Sequence, residues 1–128
     1  MSRTETQYAG RVVRGAGGAS RAFAAFGGRR IRELEAVVGY APFPGTLNLR
    51  LDTPFDFEAP HLEGDVLHKA GRGKFHPRRT RLYPVSVDGR HGHVIRFEGA
   101  KYSPKYVGVI AAERLRDHVD GHVTLRLR

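Results

Sequence analysis

In Pro42-Phe43-Pro44-Gly45-Thr46-Leu47-Asn48-Leu49, a hydroxyl at Thr46 and a carboxamide at Asn48 alternate with two leucines, a pattern that marks the segment as extended. Successive side chains of a strand point to opposite faces, so Thr46 and Asn48 share one face while Leu47 and Leu49 enter a core. Pro44-Gly45 is a turn signature that sets the angle at which this strand begins. A pair of neutral oxygen ligands suits a hard cation carried in by phosphates, because Mg²⁺ keeps several waters and takes few protein oxygens. The same octapeptide also reads as a hairpin entering a strand, with both polar side chains merely solvated.

Two further stretches have residue types that fit phosphate chemistry. Gly15-Ala16-Gly17-Gly18-Ala19 is followed by Ser20 and Arg21. Backbone N–H groups freed from side-chain bulk can form a concave nest for phosphates, and a hydroxyl and a guanidinium just after it are useful donors. The alternative is an ordinary tight turn. No Lys-Ser or Lys-Thr follows at Walker spacing, so that mechanism is out of context. Near the C-terminus, Glu113-Arg114-Leu115-Arg116 sets two cations and a carboxylate on about one turn of a predicted short helix, as a solvated face or as an anion contact. The seven histidines are scattered; only His91 and His93 have strand spacing, with no third ligand nearby.

The elements that must position these groups are short. Sixteen glycines and seven prolines in 128 residues favour many strands over long helices. Strands are predicted at 11–14, 46–51, 81–87, 93–97, 106–111 and 122–127, with Asp88-Gly89 as a hairpin turn. Ser20 to Phe26 is ambiguous, its aromatics suggesting a strand. Arg29 to Val38 carries Ile31, Leu34, Val37 and Val38 at helical spacing before Gly39, and a short helix is predicted from Ala112 to His118. About six strands with one or two short helices predict a mainly β fold, a small closed barrel without exposed edges. The length predicts one domain, 1–128, with residues 1–9 as a flexible or edge segment.

Composition narrows the chemistry. With 40% apolar and 27% charged residues the chain is an ordinary globular one, and its lack of cysteine excludes disulfides, thiolate catalysis and cysteine-ligated metals. A polar start and no apolar run of membrane length predict a cytoplasmic protein without a membrane partner. The net charge of +9 predicts anionic partners. Part of it is local: His68 to Arg81 holds six Lys/Arg, two His and no acid, a solvated basic loop or an anion-binding lid.

Taken together, these motifs resemble the archaeal CTP-dependent riboflavin kinases from about Gly10 to Leu127. The resemblance is carried by Pro42 to Leu49 with Leu51-Asp52, Val12 to Gly17, Tyr83-Pro84-Val85, Ile110-Ala111 with Leu115-Arg116, and Asp120-Gly121-His122-Val123, in the family's order. It implies a six-stranded cradle-loop (RIFT-like) barrel that moves the γ-phosphoryl group of CTP to riboflavin, giving CDP and FMN. It further implies Mg²⁺ on Thr46 and Asn48, phosphates wrapped by Gly15, Ala16, Gly17, Gly18, Ala19, Ser20 and Arg21, and cytidine contacts from Glu113, Arg114, Leu115 and Arg116. The threonine and glutamate with which the family grips flavin align with Ala100 and Gly108, so the acceptor pocket is altered, and the acceptor is riboflavin or another small alcohol. Tyr102, Lys74 and Arg78 join Ala100 and Gly108 as acceptor candidates. Asp52, Glu98 and Glu113 are the candidate catalytic bases. A monomer or weak homodimer is expected. The alternative is a non-enzymatic basic β-barrel binding nucleotide or nucleic acid; interleaved stacking aromatics, which nucleic acid would favour, are lacking.

Overall fold

A computed structural model describes residues 6–14, 18–69 and 74–128. Seven antiparallel strands, β1 (Gln7–Val13), β2 (Leu47–Leu51), β3 (Leu62–Lys69), β4 (Phe75–Val87), β5 (Arg90–Phe97), β6 (Tyr106–Ile110) and β7 (His122–Leu127), join one helical segment, α1 (Gly18–Val38). The strand order is β3-β4-β5-β6-β2-β1-β7, and a further β4–β7 pairing closes six of the strands into a ring with β3 outside it on β4. Gln7 to Ala9, expected as flexible or edge residues, belong to β1 and pair with Thr124 to Arg126 of β7.

Period-two patterning fills the ring. Leu47, Leu49 and Leu51 of β2 meet Val107 and Val109 of β6, Val85 and Val87 of β4, Val94 of β5 and Leu125 of β7 in one buried cluster. Tyr8, Phe55 and Tyr83 add rings at centroid distances of 5.3 Å. Asp88 and Gly89 take positive φ, 49° and 84°, as the two-residue turn between β4 and β5 requires.

Three expectations change. Ser20 to Phe26, suggested as a strand, lies in α1: Phe23 is fully buried against Leu34, Val66, Leu82, Ile95 and Ile110, and this outer cluster decides the conformation. The helix is broken from Ala25 to Gly28, with Phe26, Gly27 and Gly28 at positive φ. Among the described residues the strand count is seven, because Leu62–Lys69 pairs with β4. The basic segment 68–81, expected as a loop, is for its described part the end of β3 and the start of β4. Its charge is partly offset, since Arg79 lies 3.1 Å from Glu63 and 3.6 Å from Asp65, and Arg81 3.5 Å from Glu63.

Helix α1 also covers the exposed edge of β3. Arg30, 4% exposed, donates from Nε to the Leu67 carbonyl at 2.8 Å, and the Leu67 N–H donates to Glu33 at 2.9 Å. At Leu67, both backbone groups that this edge would offer to another chain are thereby satisfied. Gly64 is needed for this approach, since a Cβ there would lie 2.5 Å from Val37 Cγ2.

Candidate functional site

Thr46 ends the turn in which Gly45 takes φ +115°, and Asn48 is the second residue of β2. The buried leucines on either side of Asn48 force the polar pair onto the other face, where Thr46 Oγ1 donates to Asn48 Oδ1 at 3.0 Å. Two ligands at right angles on one Mg²⁺, each 2.0–2.1 Å from it, stand about 2.9 Å apart. The pair therefore fits a single magnesium ion with little rearrangement. Among the described residues no group of three His, Asp or Glu could hold a metal.

Thr46 and Asn48 line a cavity of about 520 Å³. Three arginines share it: Arg14 at the end of β1, and Arg114 and Arg116 from the stretch after β6. This stretch ends in a short 3-10 helix, Leu115–His118, where a longer helix from Ala112 was predicted. Leu115, 3% exposed, is its anchor in the ring core. The Phe43 N–H donates to the Ala111 carbonyl at 2.7 Å, tying the loop before Thr46 to the end of β6. An excess of guanidinium around two neutral oxygens makes this a place for a multiply charged anion.

Of the three carboxylates considered as bases, only Glu113 lies here. It is already engaged, 2.6 Å from Arg90 and 3.4 Å from His118. Asp52 lines a separate cavity with Arg11 and Arg50, and Glu98 a third with Arg79, Arg96 and Ala100. The acceptor candidates are likewise dispersed. Gly108 sits beside the Thr46–Asn48 pair, as the register partner of Asn48. Ala100 lies in the third cavity, Tyr102 meets Tyr106 edge to face at 5.9 Å, and Lys74 and Arg78 lie near and in β4. Gly15, Ala16 and Gly17 lie outside the described residues; Gly18 to Arg21 open α1 instead of continuing a turn. Arg14 and Arg90 were not singled out from the sequence. Arg14 could have been, as the cation that leads from β1 into the glycine run; Arg90 has no local signal, since its partner is distant in the chain.

Residues 12–122 match the model of the CTP-dependent riboflavin kinase family, described as domain of unknown function DUF120. The chain is 30% identical to the riboflavin kinase of Pyrobaculum aerophilum over 111 residues, 84% of this chain and 52% of that protein. It is 33% identical to the riboflavin kinase of Methanocella arvoryzae over 84 residues, 62% of this chain and 36% of that one. For the riboflavin kinase of Aeropyrum pernix the figures are 29% over 100 residues, 67% and 68%. The chain thus spans about half the length or less of the first two relatives. On the family match and these likenesses, the chain belongs to the archaeal-type CTP-dependent riboflavin kinase family, as a divergent member.

Proposed function

We propose that this chain is a Mg²⁺-dependent kinase that moves the γ-phosphoryl group of CTP to a primary alcohol, riboflavin or another small alcohol, releasing CDP. Its ring of strands serves as a cradle-loop barrel in a single cytoplasmic domain, monomeric or weakly dimeric. The observation that carries the proposal is the meeting of the Thr46–Asn48 oxygen pair with Arg14, Arg114 and Arg116 in one cavity.

Phosphoryl transfer depends mainly on positioning and on neutralising charge on the transferred group. Thr46 and Asn48 would hold a Mg²⁺, whose charge would offset that of the phosphate oxygens. Arg114 and Arg116, with the glycine run after Arg14, hold the nucleotide. Glu113, fixed by Arg90, orients this arm instead of acting as a free base, in keeping with a loose transition state that needs little base help.

Incubating the protein with Mg²⁺, riboflavin and each of the four nucleoside triphosphates tests donor and acceptor together. FMN and CDP formed with CTP alone are expected. Failure of any triphosphate to bind in the presence of Mg²⁺ would overturn the proposal.

A further inference from the structure

Phe43 presents a ring that is 43% exposed from a backbone held at three points. The buried Pro42 before it has a fixed φ, Pro44 after it confines Phe43 to extended conformations, and the Phe43 N–H donates to the Ala111 carbonyl at 2.7 Å. Among the described residues no second ring and no cation lies over this phenyl group. The other exposed rings are covered: Phe26 meets Phe75 at 5.2 Å, and Tyr102 has Tyr106 at 5.9 Å and the Arg96 guanidinium at 5.1 Å. Single exposed hydrophobic residues are ordinary on a protein surface. Phe43 differs in being both firmly held and uncovered inside a polar cavity.

The ring lines the same cavity as the Thr46–Asn48 pair, Arg14 and the stretch from Glu113 to Arg116. Cations and neutral oxygens account for a polyphosphate there, but not for an apolar ring among them. Phe43 precedes Thr46 by three residues, a span of at most about 11 Å, so one nucleotide can reach both. Its bond to Ala111 ties it to the start of the arm that carries Glu113, Arg114 and Arg116. None of the acceptor candidates, Ala100, Tyr102, Gly108, Lys74 or Arg78, lines this cavity. The flat group that accompanies a polyphosphate into it is therefore a nucleobase, and every base has a face that stacks on an aromatic side chain. With two flanking prolines the loop has little conformational freedom left to lose when a base settles on the ring.

We propose that Phe43 is the stacking platform for the nucleobase of the phosphoryl donor, giving affinity for the base while the arm from Glu113 to Arg116 selects which base. The inference rests on the kinase reading of this cavity and adds the residue that holds the base. Titration calorimetry with Mg²⁺ and CDP, UDP, tripolyphosphate or riboflavin, on the parent, Phe43→Leu and Phe43→Tyr proteins, tests it. Phe43→Leu keeps an apolar side chain and should weaken CDP about tenfold, and UDP by the same factor, because stacking tolerates any base. Tripolyphosphate, which has no base, should bind unchanged, and Phe43→Tyr should bind CDP as the parent does. The cytosine H5 and H6 resonances of CDP should move upfield on saturating the parent and move less on saturating Phe43→Leu.

Unchanged CDP affinity in Phe43→Leu would overturn the inference. So would an equal loss of tripolyphosphate, which would show that the substitution disturbs the turn at Thr46, or a loss confined to riboflavin, which would give the ring to the acceptor. If the parent protein binds no CDP in the presence of Mg²⁺, the kinase reading itself falls and takes the inference with it.

Discussion

At the scale of single residues, a metal site is economical when its ligands are held together before the ion arrives. In the proposed magnesium site the 3.0 Å contact between Thr46 and Asn48 would do this, on a strand locked by Leu47 and Leu49. Thr46→Ala and Asn48→Ala should each reduce Mg²⁺-dependent CTP turnover by on the order of a hundredfold, the scale of one preorganised electrostatic contact. Unfolding midpoints should stay near the parent value, because neither side chain is fully buried; near-normal turnover in both variants would remove the metal assignment. This pair was legible in the sequence because alternation along a strand is a local property of the backbone. The exclusion of Asp52 and Glu98 from the same cavity was not, since it depends on where loops end after the ring closes.

At the scale of elements, α1 does two things: it buries the outer cluster and it blocks the open edge of β3. Its C-terminal half was visible as Ile31, Leu34, Val37 and Val38 at helical spacing, whereas its first half was hidden by the break from Ala25 to Gly28. A run of positive φ interrupts the apolar period, so the pattern of Phe23 no longer joins that of Leu34. The close approach at Gly64 gives a test. Gly64→Ala should cost about 1–3 kcal/mol, the range for overpacking a tight contact. Val37→Ala alone should be milder, and the double variant should recover part of the loss, measured by denaturant unfolding. Additive losses would show that the contact with Val37 is not the cause.

At the scale of the whole molecule, two histidines make stability depend on acid. His93, 5% exposed, has Nδ1 2.8 Å from the Tyr40 hydroxyl, and burial, aided by Arg128, lowers its pKa to about 4. His68, stacked 3.8 Å from Phe97 and 3.2 Å from the Arg30 guanidinium, is lowered to about 4 by burial first and then by Arg30, Arg78 and His76. Both fold in the neutral form, so their stability is complete above the unfolded value near 6.5 and is lost as pH falls from there to about 4. For His93 the loss runs at up to about 1.4 kcal/mol per pH unit. Melting temperatures should therefore fall between pH 6.5 and 4.5, less steeply in His93→Gln; an identical slope in that variant would exclude His93 as a source. Among the described residues no helix is long and apolar enough to cross a membrane. Alternation and turn chemistry alone determined that the chain is mainly β, that Thr46 and Asn48 face one way, and that 88–89 turns a hairpin, because each follows from residues adjacent in the chain. Only the tertiary structure decided that Glu113 to Arg116 and Arg14 meet that pair and that β3 joins the sheet. Those contacts come from pairing strands distant in sequence, which no local pattern specifies.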